Sequence, residues 1–481
     1  MLNRILLVCA GFALTFAFPL ASSRAHAEQS RIVESVSKAA QFRTISHESK
    51  ADNDFAEFDR FIRFLESRYP RTFRSLRVES ISEYTRLLRW PGSDASLAPV
   101  MFDAHYDVVP VEPGTEEDWD YPAFSGAIAE GYVWGRGTID DKSGLIATFE
   151  AIEELLEEGY APERTLIFSA VHDEEAGGEE GAVLVAEKLL SEGIQLEYLI
   201  GEGGFMVSDT PILSGDRLMA MVATGEKGFT TLILRARGEG GHSSRPPKNN
   251  AIIRLSRAVT LLHENPFPPE LKPPVSDMFE ALAEHTPGFG GFLMRNQWMS
   301  RGLLAKGLAK DENMFGMVRT TTAVTMLNSG VKENVVPQVA EAAVNFRRLP
   351  SMTPTKLVEA VREIIDDPEI EIEFSETVAP GEVLPVADKN GPGFKMIEAA
   401  VSAEAPDAVV VPALLIATSD TRHYGKLTPN IYRFHTVTVS GDDAAGAHGT
   451  NERASVEGIE RSVRLSRQLI QGAGSRDSGE R

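Results

Sequence analysis

One local pattern, repeated three times, constrains this 481-residue chain more than anything else in it. Apolar, strand-like runs end abruptly in ionisable residues. Val100 to Ala104 leads into His105-Tyr106-Asp107, Thr165 to Val171 into His172-Asp173-Glu174-Glu175, and Tyr198 to Ile200 into Gly201-Glu202. Helical spacing fills the gaps: Leu145, Phe149, Ile152 and Leu156 recur along Ser143 to Glu158, and a second helix is expected over Ala182 to Ser191. Strands that are apolar throughout need cover on both faces, which helices supply in an α/β fold. Polar residues at successive strand ends then collect along one edge of the sheet, where open α/β sheets place their sites. Ahead of this unit, Ser30 to Tyr69 reads as helical, with Phe55, Phe58, Ile62 and Leu65 on one face, and Tyr84 to Arg89 reads as a strand.

The organisation changes near Glu226. Strand Thr230 to Ala236, helix Asn249 to Glu264, strands Ala323 to Leu327 and Ala340 to Arg347, helix Pro354 to Asp366 and strand Ile370 to Phe374 follow in the β-α-β-β-α-β order of a ferredoxin-like unit. A Pro- and Gly-rich insertion, 265–319, separates its first helix from its second strand. Only Phe279 to Leu282 and Trp298 to Leu308 look helical there, and the insertion is expected to shape a pocket or a partner surface. The α/β pattern resumes with a helix near Phe394 to Ala403, a strand near Ala408 to Val411 and a helix over Ser455 to Ile470. The expected division is 28–225 and 376–470 for one discontinuous domain, 226–375 for the unit that interrupts it, and 471–481 for a disordered tail.

Charge and cysteine narrow the chemistry. A net charge of -22 argues against nucleic acid and against anionic membrane surfaces as partners. Arg4, the apolar run Ile5 to Leu20 and the small-x-small Ala25-His26-Ala27 read as a signal peptide over 1–27, cleaved after Ala27; retention as an anchor is the rival reading. The expected location is therefore the periplasm or the exterior, without stable membrane insertion. The one cysteine, Cys9, lies in that segment, so the mature chain is left with His, Asp and Glu as metal ligands.

Among the strand-end residues, Asp140-Asp141 follows Gly135-Arg136-Gly137-Thr138-Ile139 at a strand-to-helix junction. Alone, such a pair is most often a helix cap. Beside His105, Glu174, Glu175, Glu202 and His448, it becomes a candidate bridge between two divalent cations. Two histidines and three carboxylates suffice for such a pair of sites, which leaves one carboxylate spare. Asp107 can orient the His105 ring, and Glu174 can serve as the general base toward a water attacking a carbonyl.

These motifs, with Gly241-His242-Ser243-Ser244 and His448-Gly449-Thr450-Asn451-Glu452, resemble those of the dinuclear zinc aminoacylase and carboxypeptidase family. The likeness runs from about Phe42 to Glu460 and is greatest to carboxypeptidase S and the secreted N-fatty-acyl-amino-acid hydrolases. It implies a zinc-peptidase-like α/β catalytic domain with a mixed sheet, interrupted by a ferredoxin-like lid. It further implies two Zn2+ per subunit, with Asp140 bridging, His105 and Glu202 on one metal and Glu175 and His448 on the other; manganese or cobalt would suit the same donors. Glu174 matches the general base, and His242 a lid histidine that polarises the scissile carbonyl, often from a second subunit, so a homodimer through the lid follows. Asn334, Arg347 and Arg422 match substrate-binding positions, an arginine fork suiting a free carboxylate. Relatives often carry Asp before the Glu-Gly-Gly motif; Gly201 stands here, leaving Glu202 as the ligand. The expected activity is carboxypeptidase action on small peptides, with N-acyl amino acid hydrolysis as the alternative and a non-catalytic peptide-binding module as the competing class.

Overall fold

The computed structural model describes residues 31–47, 49–210, 213, 217–312, 314–375 and 383–476. The expected signal peptide lies outside these residues. At the centre of a ten-stranded mixed sheet run the strands whose ends drew attention. Val100–His105 pairs in parallel with Leu166–Val171 on one side and Leu199–Gly201 on the other. The register sets His105 opposite Val171, so His105 and the residues after Val171 emerge at one edge. Alternation divides the side chains between faces. Phe102, Phe168 and Ile200 pack with Leu145, Ile152, Ile397 and Leu465 of helices Lys142–Glu157, Pro392–Glu404 and Val456–Ala473. Met101, Ile167 and Leu199 pack on the other side with Val185 and Leu189 of helix Ala182–Ser191.

Four antiparallel strands form a second sheet in the order Thr321–Ser329, Val339–Arg348, Gly228–Arg237, Ile370–Phe374. Helices Ala251–Glu264 and Pro354–Ile365 cover one face, burying Leu255, Leu262, Leu357 and Val361 against Leu232, Leu234, Val344 and Phe346. Both helices start at side-chain caps. Asn250 accepts from the Ile252 and Ile253 amides, and Thr353 from that of Lys356.

Several local expectations are corrected. The helical stretch from Ser30 to Tyr69 is broken: helix 31–39 and helix Phe55–Arg68 flank an extended segment whose backbone pairs with Val108, through Val108 to Thr44 and Ser46 to Val108 hydrogen bonds. The long strand Met219–Glu226, built of small and weakly patterned residues, lies in the large sheet, in parallel with Val409–Leu415. The insertion holds four helices, Val275–Leu282, Gly288–Arg295, Gln297–Leu308 and Phe315–Val318; glycines hid the second. Its first helix buries Val275, Met278 and Leu282 against Met219, Val409 and Val411 of the large sheet. Residues 471–476 are not a disordered tail. The last helix continues to Ala473, the Gly474 carbonyl accepts from the amides of Glu163 and Arg164, and Arg476 pairs with Asp94. Residues 477–481 lie outside those described.

Candidate metal centre

Five of the predicted ligands converge. His105, Asp140 and Glu202 offer donor atoms within 4.8 Å of one another, and so do Asp140, Glu175 and His448. Asp140 is common to both groups. Its Oδ1 lies 3.0 Å from His105 Nε2 and its Oδ2 3.0 Å from His448 Nε2, so each oxygen faces a different imidazole. His448 Nε2 is also 3.1 Å from Glu175 Oε1. Each group mixes imidazole nitrogen with carboxylate oxygen, the donor set of divalent transition metals. The residues therefore fit two cations sharing one bridging carboxylate.

The surroundings fix these donors. Asp107, fully buried, accepts from the Glu174 amide at 3.2 Å and the Glu175 amide at 3.1 Å, while its Oδ1 lies 3.3 Å from His105 Nδ1. Asp107 thus sets the His105 ring, its backbone carbonyl 3.2 Å from Nδ1 beside the carboxylate, leaving Nε2 toward Asp140, and its carboxylate anchors the short 3-10 turn Glu174–Ala176. Glu452 does the equivalent for the loop before Asp140. Its Oε1 accepts from the amides of Gly137, Ile139 and Asp140, and its Oε2 takes Arg136 Nη1 at 2.7 Å. Arg136 Nη2 then donates to the His448 carbonyl at 3.1 Å, tying the two ligand loops together. His448 itself has φ +62°, a left-handed conformation that this tie helps to hold.

Asp141 is not a helix cap, for its side chain makes no capping bond to the helix it precedes. Its Oδ1 instead lies 2.5 Å from His435 Nε2, and its Oδ2 accepts from the His105 amide at 3.3 Å. His435 Nδ1 accepts from the Val437 amide, which assigns the ring proton to Nε2. Neither His435 nor the role of Glu452 was read from sequence. The only signal for His435 was its place just after the three-residue strand Ile431–Arg433, too short to recognise.

The electrostatics are those of crowded carboxylates in want of positive charge. Burial pushes the Glu174 carboxyl well above the ordinary range; His105 opposes, while Glu202, Glu175 and Asp140 add to the rise. Glu202 and Glu175 are raised as well, burial first and Asp140 among the further causes. Burial works against the charged form of Asp140 too, but the hydrogen bonds from His105 and His448 overcome it and hold that carboxyl below its usual value. Hydrogen bonds to Asp140 and then Glu175 push His448 up to about 10. Cations placed among these oxygens would relieve the repulsion directly.

The remaining predicted residues divide. Arg422 Nη1 lies 3.9 Å from Glu174 Oε1, but its fork is engaged with backbone, donating to Ser419 O at 2.8 Å and Gly177 O at 3.0 Å. It tethers the turn that carries Glu174. Arg347 lies over the Phe229 ring, 4.7 Å from its centroid, with one long hydrogen bond of 3.5 Å to Thr418 Oγ1. Its guanidinium is the freer of the two. His242 and Asn334 are near each other on a two-stranded ribbon, Gly241–His242 with Val335–Val336, where the Ser243 amide donates to the Asn334 carbonyl. Both are exposed, and among the described residues the hydrogen-bond partners of the His242 ring are the amide and hydroxyl of Ser244. Neither joins the metal-ligand cluster.

Residues 101–472 match the model of peptidase family M20/M25/M40. The chain is 34% identical over 452 residues to the mouse N-fatty-acyl-amino acid synthase/hydrolase PM20D1, covering 93% of this chain and 88% of that one. It is 30% identical to carboxypeptidase S of Saccharomyces cerevisiae, covering 89% and 81%. Among solved structures, the M20 family metallo-carboxypeptidase Sso-CP2 of Sulfolobus solfataricus shares the fold with a TM-score of 0.65 at 16% identity, over 93% of this chain and 99% of that one. The chain is a hydrolytic enzyme and belongs to peptidase family M20/M25/M40.

Proposed function

We propose that this hydrolase holds two zinc ions and cleaves the amide that joins an acyl or aminoacyl group to a free C-terminal amino acid. The observation that carries this reading is the pair of N,O donor clusters sharing Asp140, with the buried Glu174 carboxyl feeling His105, Glu202, Glu175 and Asp140 and lying 3.9 Å from Arg422. When bound, divalent cations would supply Lewis acidity for the scissile carbonyl and for water. His105 and Glu202 would hold one, Glu175 and His448 the other, and Asp140 both. Glu174 takes the proton of the attacking water and returns it to the leaving amine. Its position is secured twice, by Asp107 at its amide and by Arg422 at Gly177. Arg347 is suited to receive the substrate carboxylate, its planar fork being largely uncommitted. His242 and Asn334 complete the site from the ribbon, His242 donating to the oxyanion.

Because the ribbon residues face solvent, we assign them to the site of a second copy. The edge strand Thr321–Ser329 ends its sheet with Met326 and Leu327 exposed, and such a strand is a template for pairing with its symmetry mate. No helix among the described residues is long and apolar enough to cross a membrane. We place the mature enzyme in the periplasm or outside the cell, after removal of residues 1–27.

Carboxypeptidase action on small peptides is the first reading of the substrate. Hydrolysis of N-acyl amino acids is the second reading, since the chemistry is the same and only the pocket beyond the scissile carbonyl differs. A Glu174→Gln variant should keep both metals, counted by plasma emission spectroscopy, while turnover of dipeptides and N-acyl amino acids falls about 10²–10⁴-fold. Undiminished turnover in that variant would refute the mechanism.

A further inference from the structure

The second and third helices of the insertion present an apolar, basic surface that neither the fold nor the metal centre uses. Phe289 and Phe292 stand exposed on Gly288–Arg295 with ring centroids 6.2 Å apart, and Trp298, Met299 and Leu303 stand exposed on Gln297–Leu308. Of the four tryptophans, Trp90, Trp119 and Trp134 are at most 7% exposed, whereas Trp298 is 81% exposed. The hairpin is firmly mounted. Ser300 and Ala305 point inward and are buried, Ser300 Oγ donates to the Leu293 carbonyl, Gln297 donates to the Ser276 carbonyl and Arg295 to that of Ala283. Beneath it, helix Val275–Leu282 is packed on the large sheet. The apolar side chains therefore project from a rigid support.

Charge identifies what they meet. Between Glu284 and Asp311-Glu312, the segment His285 to Lys310 carries Arg295, Arg301, Lys306 and Lys310 and no acidic residue, in a chain whose net charge is -22. All four cations are exposed, and none pairs with a carboxylate among the described residues. Helical spacing puts Met299, Leu303 and Lys306 on one outward face of Gln297–Leu308, with Trp298 at its margin and Lys310 in the turn that follows. Tryptophan, phenylalanine and leucine flanked by lysine and arginine is the composition of surfaces that lie in a lipid headgroup layer. Lysine stems add apolar length while their ammonium groups reach the phosphates. The acidity of the rest of the molecule does not forbid this, since charges beyond about 8 Å are screened at physiological salt.

We propose that the 288–310 hairpin docks the enzyme on an anionic phospholipid bilayer, with Trp298 and Phe289 entering the headgroup region and Lys306 and Lys310 contacting phosphate. The proposal is independent of the substrate reading. The test uses the mature chain and vesicles of phosphatidylcholine with or without phosphatidylglycerol, followed by tryptophan emission and co-sedimentation. Expected are a blue shift and sedimentation with the anionic vesicles, quenching by bromine-labelled acyl chains, and loss of the blue shift but not of sedimentation in Trp298→Phe. A Lys306→Glu, Lys310→Glu variant should bind at least about tenfold more weakly, as should Phe289→Ser, Leu303→Ser, with hydrolysis of a soluble dipeptide unchanged as the check on folding. Failure to sediment with anionic vesicles would overturn the proposal. So would equal binding to vesicles lacking phosphatidylglycerol, or a blue shift produced by raising protein concentration alone, which would assign the surface to a second copy of the chain.

Discussion

The metal-ligand cluster and the His242 ribbon hold their functional residues in opposite ways. Around Asp140 the donors are crowded and several are set by buried partners: Asp107 for His105 and the Glu174 turn, Glu452 for the loop before Asp140, with His435 against the neighbouring Asp141. On the ribbon, His242 and Asn334 stand in solvent with local bonds. The cluster gathers its donors within one chain, whereas the ribbon, on the proposed reading, serves the site of a second copy. On the proposed reading, such a site is preorganised where charge is concentrated and left open where substrate and a second copy would enter.

The sharpest way to break this comparison is to ask which chain supplies His242 to a given centre. On the proposed reading, His242→Ala loses about 10²–10³ in kcat, as the loss of one oxyanion donor does, with metal content unchanged. Mixing it with Glu174→Gln under subunit exchange should restore activity, because one site of each heterodimer then has an intact Glu174 and an intact partner histidine. Mixtures that stay dead would place His242 in the site of its own chain. Met326→Asp with Leu327→Asp on the edge strand should yield a monomer, seen by light scattering, with the activity of His242→Ala.

A smaller effect sharpens the other side. Glu452→Gln leaves one neutral oxygen where a buried carboxylate held three amides and Arg136. The unpaired Arg136 should cost about 3 kcal/mol in denaturant unfolding, and metal affinity should fall with it because Arg136 also bonds the His448 carbonyl. Wild-type stability in this variant would mean that the loops are held by the metals rather than by the chain. The contrast between Glu452 and the ligands also marks what could be read from sequence. His105, Glu174, Glu175 and Glu202 were legible because they end recognisable strands, and the ferredoxin-like order was legible because its periods of two and three to four are clean. Glu452 acts through hydrogen bonds, and His435 through a close ion-pair contact, on residues roughly three hundred positions away, which no local pattern encodes. Met219–Glu226 hid for a different reason: Met-Ala-Met-Val-Ala-Thr-Gly-Glu has neither the alternation nor the bulk of a strand, and only its neighbours make it one.

The smallest effect lies at the crossing between the two regions. Glu226 ends a strand of the large sheet, bonded to Arg433 at 2.7 Å, and Gly228 begins a strand of the small one. Between them Lys227 is 1% exposed, its Nζ donating to the carbonyls of Gly316 and Arg319 in the insertion. Burial, and then the charge of Arg347, pulls this ammonium down to about 7 from 10.5. Between those two values the unfolded chain holds a proton that the folded chain has released, so stability rises with pH across that window and is lowest below it. From pH 7.5 to 8.5 the gain should be about 1 kcal/mol. Lys227→Met removes the group from both states, so its unfolding free energy should lack that slope and exceed the wild-type value below pH 7. Parallel slopes in the two proteins would mean that Lys227 keeps its proton, held by the two carbonyls, and that the crossing is a fixed strut rather than a neutral, adjustable joint.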